Sequence, residues 1–121
     1  MLRFLGFELS LEVDEVLQEC DGPRLFAGHD ESGQPWLVAE VWRSAVNAKW
    51  LCAPQSPRAL ECVRSGRARV KDALRHSSDG TVVMVTVERA TMVDDHVLLC
   101  AELPDDLLPS GDWRLLPDQT G

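Results

Sequence analysis

The stretch from Asp21 to Leu74 limits the fold more than any other part of this sequence. Its turn and cap residues fall at spacings that leave room only for short strands and short helices. Asp21-Gly22-Pro23 stops whatever precedes it, since Gly accepts a left-handed conformation and Pro lacks the N–H that a helix needs. Residues 24–28 follow as a strand, with Leu25 and Ala27 on one face and Phe26 on the other. Asp30-Glu31-Ser32-Gly33 reads as a hairpin turn. Residues 35–43, rich in β-branched and aromatic side chains, form its second arm. A loop over residues 45–48 leads to a third strand over residues 49–53, and Pro54 ends it. Ser56-Pro57 then starts a helix: Ser is a good cap, and the missing N–H of Pro costs nothing at the first helical position. Leu60 and Val63 are its buried stripe and Ser65-Gly66 its stop. A second short helix over residues 70–75 buries Val70, Ala73 and Leu74, spaced i, i+3, i+4.

The flanks are less sharply punctuated. Phe4, Leu5, Phe7, Leu9 and Leu11 alternate from Leu5 onward, which predicts a strand over residues 4–11. Asp14 is placed to cap a short helix over residues 15–20, with Val16 and Leu17 inward and acids in its first turn. Ser77-Ser78-Asp79-Gly80 reads as a turn. Residues 81–89 carry the strongest strand pattern and are expected near the centre of the sheet, and residues 96–102 form another strand. Pro104, Pro109 and Pro117 break up the end of the chain. Residues 103–121 are expected as an extended segment packing on the body through Leu107, Leu108, Trp113, Leu115 and Leu116. The sum is a single α+β domain: a mostly antiparallel sheet of five to six strands with two or three short helices on one face.

At 121 residues the chain suits one domain with a core of its own. No apolar run reaches the roughly 18–20 residues that a membrane helix needs. The first residues lack the apolar region and cleavage site of a signal peptide, so a cytoplasmic location is expected. Cys20, Cys52, Cys62 and Cys100 form no CxxC pair, which reads as reduced core thiols.

The net charge of −8 is unevenly spread. Residues 1–23 carry six acids and one base, and residues 94–121 seven acids and one base. Between them, Arg58, Arg64, Arg67, Arg69, Lys71 and Arg75 face only Glu61 and Asp72. An acidic chain is a poor general binder of nucleic acid, because phosphate repulsion must be overcome locally. The basic stretch suits the carboxylates of a partner protein or of the chain itself, or the phosphates of a nucleotide. Trp36 and Trp42 are both even-numbered on one strand, which places them on one face with Val38 and Glu40. A Glu between two Trp suggests a half-buried face, and exposed Trp is a favoured anchor at interfaces.

Catalytic patterns are weak. Asp94-Asp95-His96 is the best metal-like cluster, with Asp105 or Asp106 able to join it. It reads first as a solvated turn before a strand. His29 sits beside a hairpin turn that accounts for Asp30 and Gly33. His76 next to Ser77 and Ser78 follows a helix end, where a cationic ring is favoured. No nucleophile elbow, P-loop, dinucleotide fingerprint or zincin motif is present.

Three segments carry a resemblance. They are Asp21-Gly22-Pro23-Arg24-Leu25-Phe26 before a Gly-containing turn; Trp50-Leu51-Cys52-Ala53-Pro54 with the helix ending Ser65-Gly66 and Val70-Lys71-Asp72-Ala73-Leu74; and Glu102-Leu103-Pro104-Asp105-Asp106 leading to Leu108-Pro109-Ser110-Gly111. Together they resemble an uncharacterised family of small bacterial domains. The resemblance implies a fold and a bacterial source but no activity.

The expectation is therefore a non-enzymatic interaction module, binding a larger protein subunit or a second copy of itself. Trp36, Trp42, Arg64, Arg67, Arg69, Lys71 and Arg75 are its candidate contact residues. No catalytic residue, metal or cofactor is expected. A small-ligand or nucleotide sensor using the same arginines is the alternative, and a metal-dependent hydrolase at Asp94, His96 and Asp105 is a further one.

Overall fold

The computed structural model describes residues 3–5, 10–19, 23–88, 91–103 and 108. Seven antiparallel strands lie in chain order across one sheet: β1 (Arg3–Leu5), β2 (Ser10–Glu19), β3 (Pro23–His29), β4 (Pro35–Arg43), β5 (Asn47–Pro54), β6 (Thr81–Glu88) and β7 (Thr91–Leu99). Between β5 and β6 the chain makes two helices, α1 (Pro57–Arg64) and α2 (Val70–Arg75). Since β5 and β6 still pair, this excursion leaves the sheet, covers one face and returns.

Both faces of the central strands are buried, which is why Leu37-Val38-Ala39 and Leu51-Cys52-Ala53 run apolar without alternation. Leu25, Ala27, Leu37, Ala39, Leu51 and Ala53 meet Leu60 and Val63 of α1 and Val70, Ala73 and Leu74 of α2. Leu11, Phe26, Trp36, Val38, Cys52, Val83 and Val85 form a second apolar cluster on the opposite face. Cys52, Cys62 and Cys100 are free thiols, two buried and one half-buried, as expected of core cysteines; Cys20 lies outside the described residues.

The helix boundaries follow from local chemistry. The Ser56 hydroxyl accepts from the Ala59 N–H at 3.0 Å, and Pro57 opens α1. At the other end Gly66 adopts φ +80°, its N–H donating to the Val63 carbonyl and that of Arg67 to the Cys62 carbonyl. This is the Schellman pairing that a glycine after the C-cap permits. The hairpin turn after β3 is also as expected. Asp30 Oδ1 accepts from the N–H groups of Ser32 and Gln34, and Gly33 adopts φ +87°.

Several expectations need correction. Among the described residues the sheet has seven strands, the three-residue β1 included, where about five to six were expected. The strand expected over residues 4–11 is two, β1 and the start of β2, which pair with each other. The helix expected over residues 15–20 is the second half of β2. Here β2 carries register shifts against β3, the first leaving Asp14 as an extra residue between Val13 and Glu15. A bulge of this kind restarts the alternation. Val13 and Val16, three apart, thereby reach the same apolar cluster, while Leu17 joins the other. Three-residue spacing of apolar side chains imitates a helix. β6 lies next to the edge strand, and β4 is the middle one. β7 ends at Leu99 and Cys100–Glu102 is a short 3-10 turn, so the strand expected over residues 96–102 sits earlier. Of the C-terminal segment, Leu103 and Leu108 pack into the helix-side core. Leu107, Trp113, Leu115 and Leu116 lie outside the described residues.

Candidate functional site

Trp36 and Trp42, expected on one face of β4, lie on opposite faces. From Trp36 to Glu40, β4 pairs with β5 in one register, Glu40 standing opposite Trp50; beyond it Trp42 stands opposite Lys49. Val41 is the extra residue, and this bulge inverts the alternation. Trp42 therefore shares the helix-bearing face with Lys49, Leu51 and Ala53. The Lys49 ammonium stands 5.6 Å from the centre of its ring, within cation–π range. Trp42 is 46% exposed and Val46, in the adjoining turn, 53%.

Trp36 is a structural residue. It is 9% exposed and packs with Val38 in the second cluster. Its Nε1 donates to Asp30 Oδ2 at 3.0 Å and so anchors the turn. Burial works against ionisation of Asp30, but donors from Ser32, Trp36 and Gln34 outweigh it and hold the carboxyl below the usual range. Glu40 is not on a half-buried face: it is 6% exposed, and its Oε1 accepts from Arg43 Nε at 2.8 Å.

The basic stretch divides into committed and uncommitted cations. Arg64 at the end of α1 reaches Glu15 on β2 at 2.9 Å and Glu61 at 3.0 Å, tying the helix to the sheet. Arg69 pairs with Asp72 at 3.0 Å. Arg75 also holds a partner within the chain. Arg58, Arg67 and Lys71 have no carboxylate within ion-pair distance among the described residues.

One polar group becomes visible only through the pairing of β2 with β3. His29 Nδ1 lies 2.9 Å from both carboxylate oxygens of Asp14, the bulged residue, and Nε2 lies 3.3 Å from Glu12 Oε2. No local motif joins these residues, because the contacts span fifteen and seventeen positions; the three acids Glu12, Asp14 and Glu15 are their only trace in sequence. The Asp14 hydrogen bond, with the Coulombic pull of Asp14, Glu12 and Asp30, outweighs desolvation and raises His29 above its ordinary value of 6.5. A raised pKa means that the folded state binds the proton more tightly, so the stabilisation is complete below the unfolded value and fades as pH rises through the folded one. Melting temperature is therefore expected to fall from pH 6 toward pH 8 in the native chain and to fall less in His29→Gln. Parallel curves for the two proteins would refute this.

The remaining catalytic candidates stay scattered. Asp94, Asp95 and His96 lie inside β7, opposite Thr86, Val85 and Met84, not in a turn before a strand. Asp105 and Asp106 lie outside the described residues. Among the described residues no three His, Cys, Asp or Glu side chains group as a metal site would require. His76 caps the end of α2, and the Ser77 hydroxyl donates to the Thr81 carbonyl at 2.7 Å within the turn.

A seven-strand antiparallel meander carrying a two-helix excursion on one face defines a small, mostly β domain. A family model matches residues 3–116, and the chain belongs to that family of unknown function, DUF6575. No curated protein and no solved structure matches the chain. Among the described residues no helix is long and apolar enough to cross a membrane.

Proposed function

We propose that this chain is a non-enzymatic protein-interaction module, an accessory subunit or regulator in a bacterial cytoplasm, and that it docks its partner on the helix-bearing face around Trp42. The observation that carries the reading is the bulge at Val41, which brings a tryptophan out of an otherwise apolar strand and leaves it half exposed beside Val46. Tryptophan contributes more than most residues to interface affinity, and large exposed aromatics are uncommon without such a use. The Lys49 ammonium over the ring adds a cation to the apolar surface that a partner would meet. A nucleotide sensor has weaker support, because Arg64 and Arg69 are already neutralised by the chain's own acids.

Trp42→Ala is expected to weaken the partner complex about tenfold or more. The variant is expected to keep its fold, since the ring is half exposed and belongs to neither buried cluster. Native mass spectrometry of both proteins, gently isolated from their own cells, reads the complex, and thermal melts read the fold. Full retention of the partner by Trp42→Ala would refute the role of this face.

A further inference from the structure

We infer that the partner presents an acidic protein segment, and that Arg67 and Lys71, with Arg58, receive it; this rests on the interaction reading above. Residues 58–75 hold six of the twelve cations of the chain but two of its twenty acids, leaving a charge of −12 on the rest. The fold then spends part of that cationic surplus internally, with Arg64 on Glu15 and Glu61 and Arg69 on Asp72. Arg67 and Lys71 flank Arg69 where α1 gives way to α2, and Arg58 lies in the first turn of α1.

Arg67 is the best prepared of the three. Its backbone is held by the Schellman pairing to Cys62, and its Nε donates to the Ser65 hydroxyl at 2.9 Å. The two terminal nitrogens of the guanidinium remain without a partner among the described residues, in the fork geometry that suits a carboxylate. A partner that covered this face without supplying anions would desolvate these cations without compensation, which is unfavourable.

Carboxylates on a protein fit better than a nucleic acid. A duplex is a long polyanion and would extend beyond the basic stretch onto a surface that carries the remaining −12. A short acidic segment can stay within the basic stretch and meets none of that repulsion.

The test is fluorescence anisotropy of the full chain with a labelled Glu-rich peptide of about ten residues, a Lys-rich counterpart and a DNA duplex of about 20 base pairs. At about 50 mM salt the Glu-rich peptide is expected to bind, and to release as salt rises to about 300 mM. The double variant Arg67→Glu/Lys71→Glu is expected to weaken binding about fivefold or more. Arg67→Gln/Lys71→Gln, which adds no repulsion, should give a smaller loss, and circular dichroism melts confirm that both variants fold. Absence of peptide binding, binding unchanged in the double reversal, or tighter binding of the duplex would each overturn the inference. A native complex weakened by Trp42→Ala but not by the double reversal would leave the interaction reading standing while the acidic partner fell. A native complex weakened by neither would remove both.

Discussion

Leu37→Ala is expected to lower the unfolding free energy by about 3–4 kcal/mol. Leu37 is fully buried on β4, the middle strand of the sheet. Its cross-strand neighbours on the same face are Ala27 and Ala53. The next row reverses the sizes, with Ala39 between Leu25 and Leu51. Large and small side chains therefore interlock beneath the helices, and Leu37 is the large member of its row. When it is truncated, neither alanine can swing into the space, so the transfer loss and the cavity penalty both remain. With total stabilities of about 5–15 kcal/mol usual for such domains, this removes a large share of the total. A urea titration measures the change, and a loss under about 1 kcal/mol would mean that the helix layer collapses into the gap.

The second large effect is expected at Gly28, where space is the issue. A Cβ there would stand 2.5 Å from the Glu12 carbonyl oxygen and 3.3 Å from its carbon, both backbone atoms of β2. Backbone cannot rotate away as a flexible side chain can, so β2 must move off β3. Gly28→Ala is expected to cost about 2–3 kcal/mol, at the upper end of overpacking penalties. The displacement would spread through the pairs Val13–Gly28 and Glu12–His29 and disturb the contacts that His29 makes with Asp14. Faster amide exchange along β2, with α1 and α2 unchanged, is the expected signature beside the lowered melt. An unaltered melt would show that the two strands separate at little cost.

Two of the differences between the sequence expectation and the structure share one physical origin. The extra residue at Val41 moved Trp42 to the face opposite Trp36. The extra residue at Asp14 set Val13 and Val16 three apart on one face. A bulge changes the side-chain period of a strand without any residue type that requires it. Strand alternation is therefore unreliable beyond it, and a bulged strand with acids at its start resembles a capped helix. The candidate site was affected in the same way. Trp42 was legible as a candidate contact residue only together with the buried Trp36, and neither its face nor its Lys49 partner was legible. Arg64 and Arg67 look alike in sequence, and only the approach of β2 to α1 shows that one is committed to Glu15 and the other is not.

Local chemistry was enough wherever neighbours in the chain settle the conformation. Ser56-Pro57 opens α1, Ser65-Gly66 closes it, Asp30 to Gly33 turns the β3–β4 hairpin, and Val70, Ala73 and Leu74 form the buried stripe of α2. The caps and the turn are closed by hydrogen bonds within a few residues, and the α2 stripe is written in its spacing, so the residue types carry the information. Strand register, the two bulges, the His29 clasp and the division of the arginines depend on groups brought together from distant positions. Their energies exist only once the strands are paired, and it is the packed sheet that selects among arrangements which the chain, read residue by residue, leaves equal.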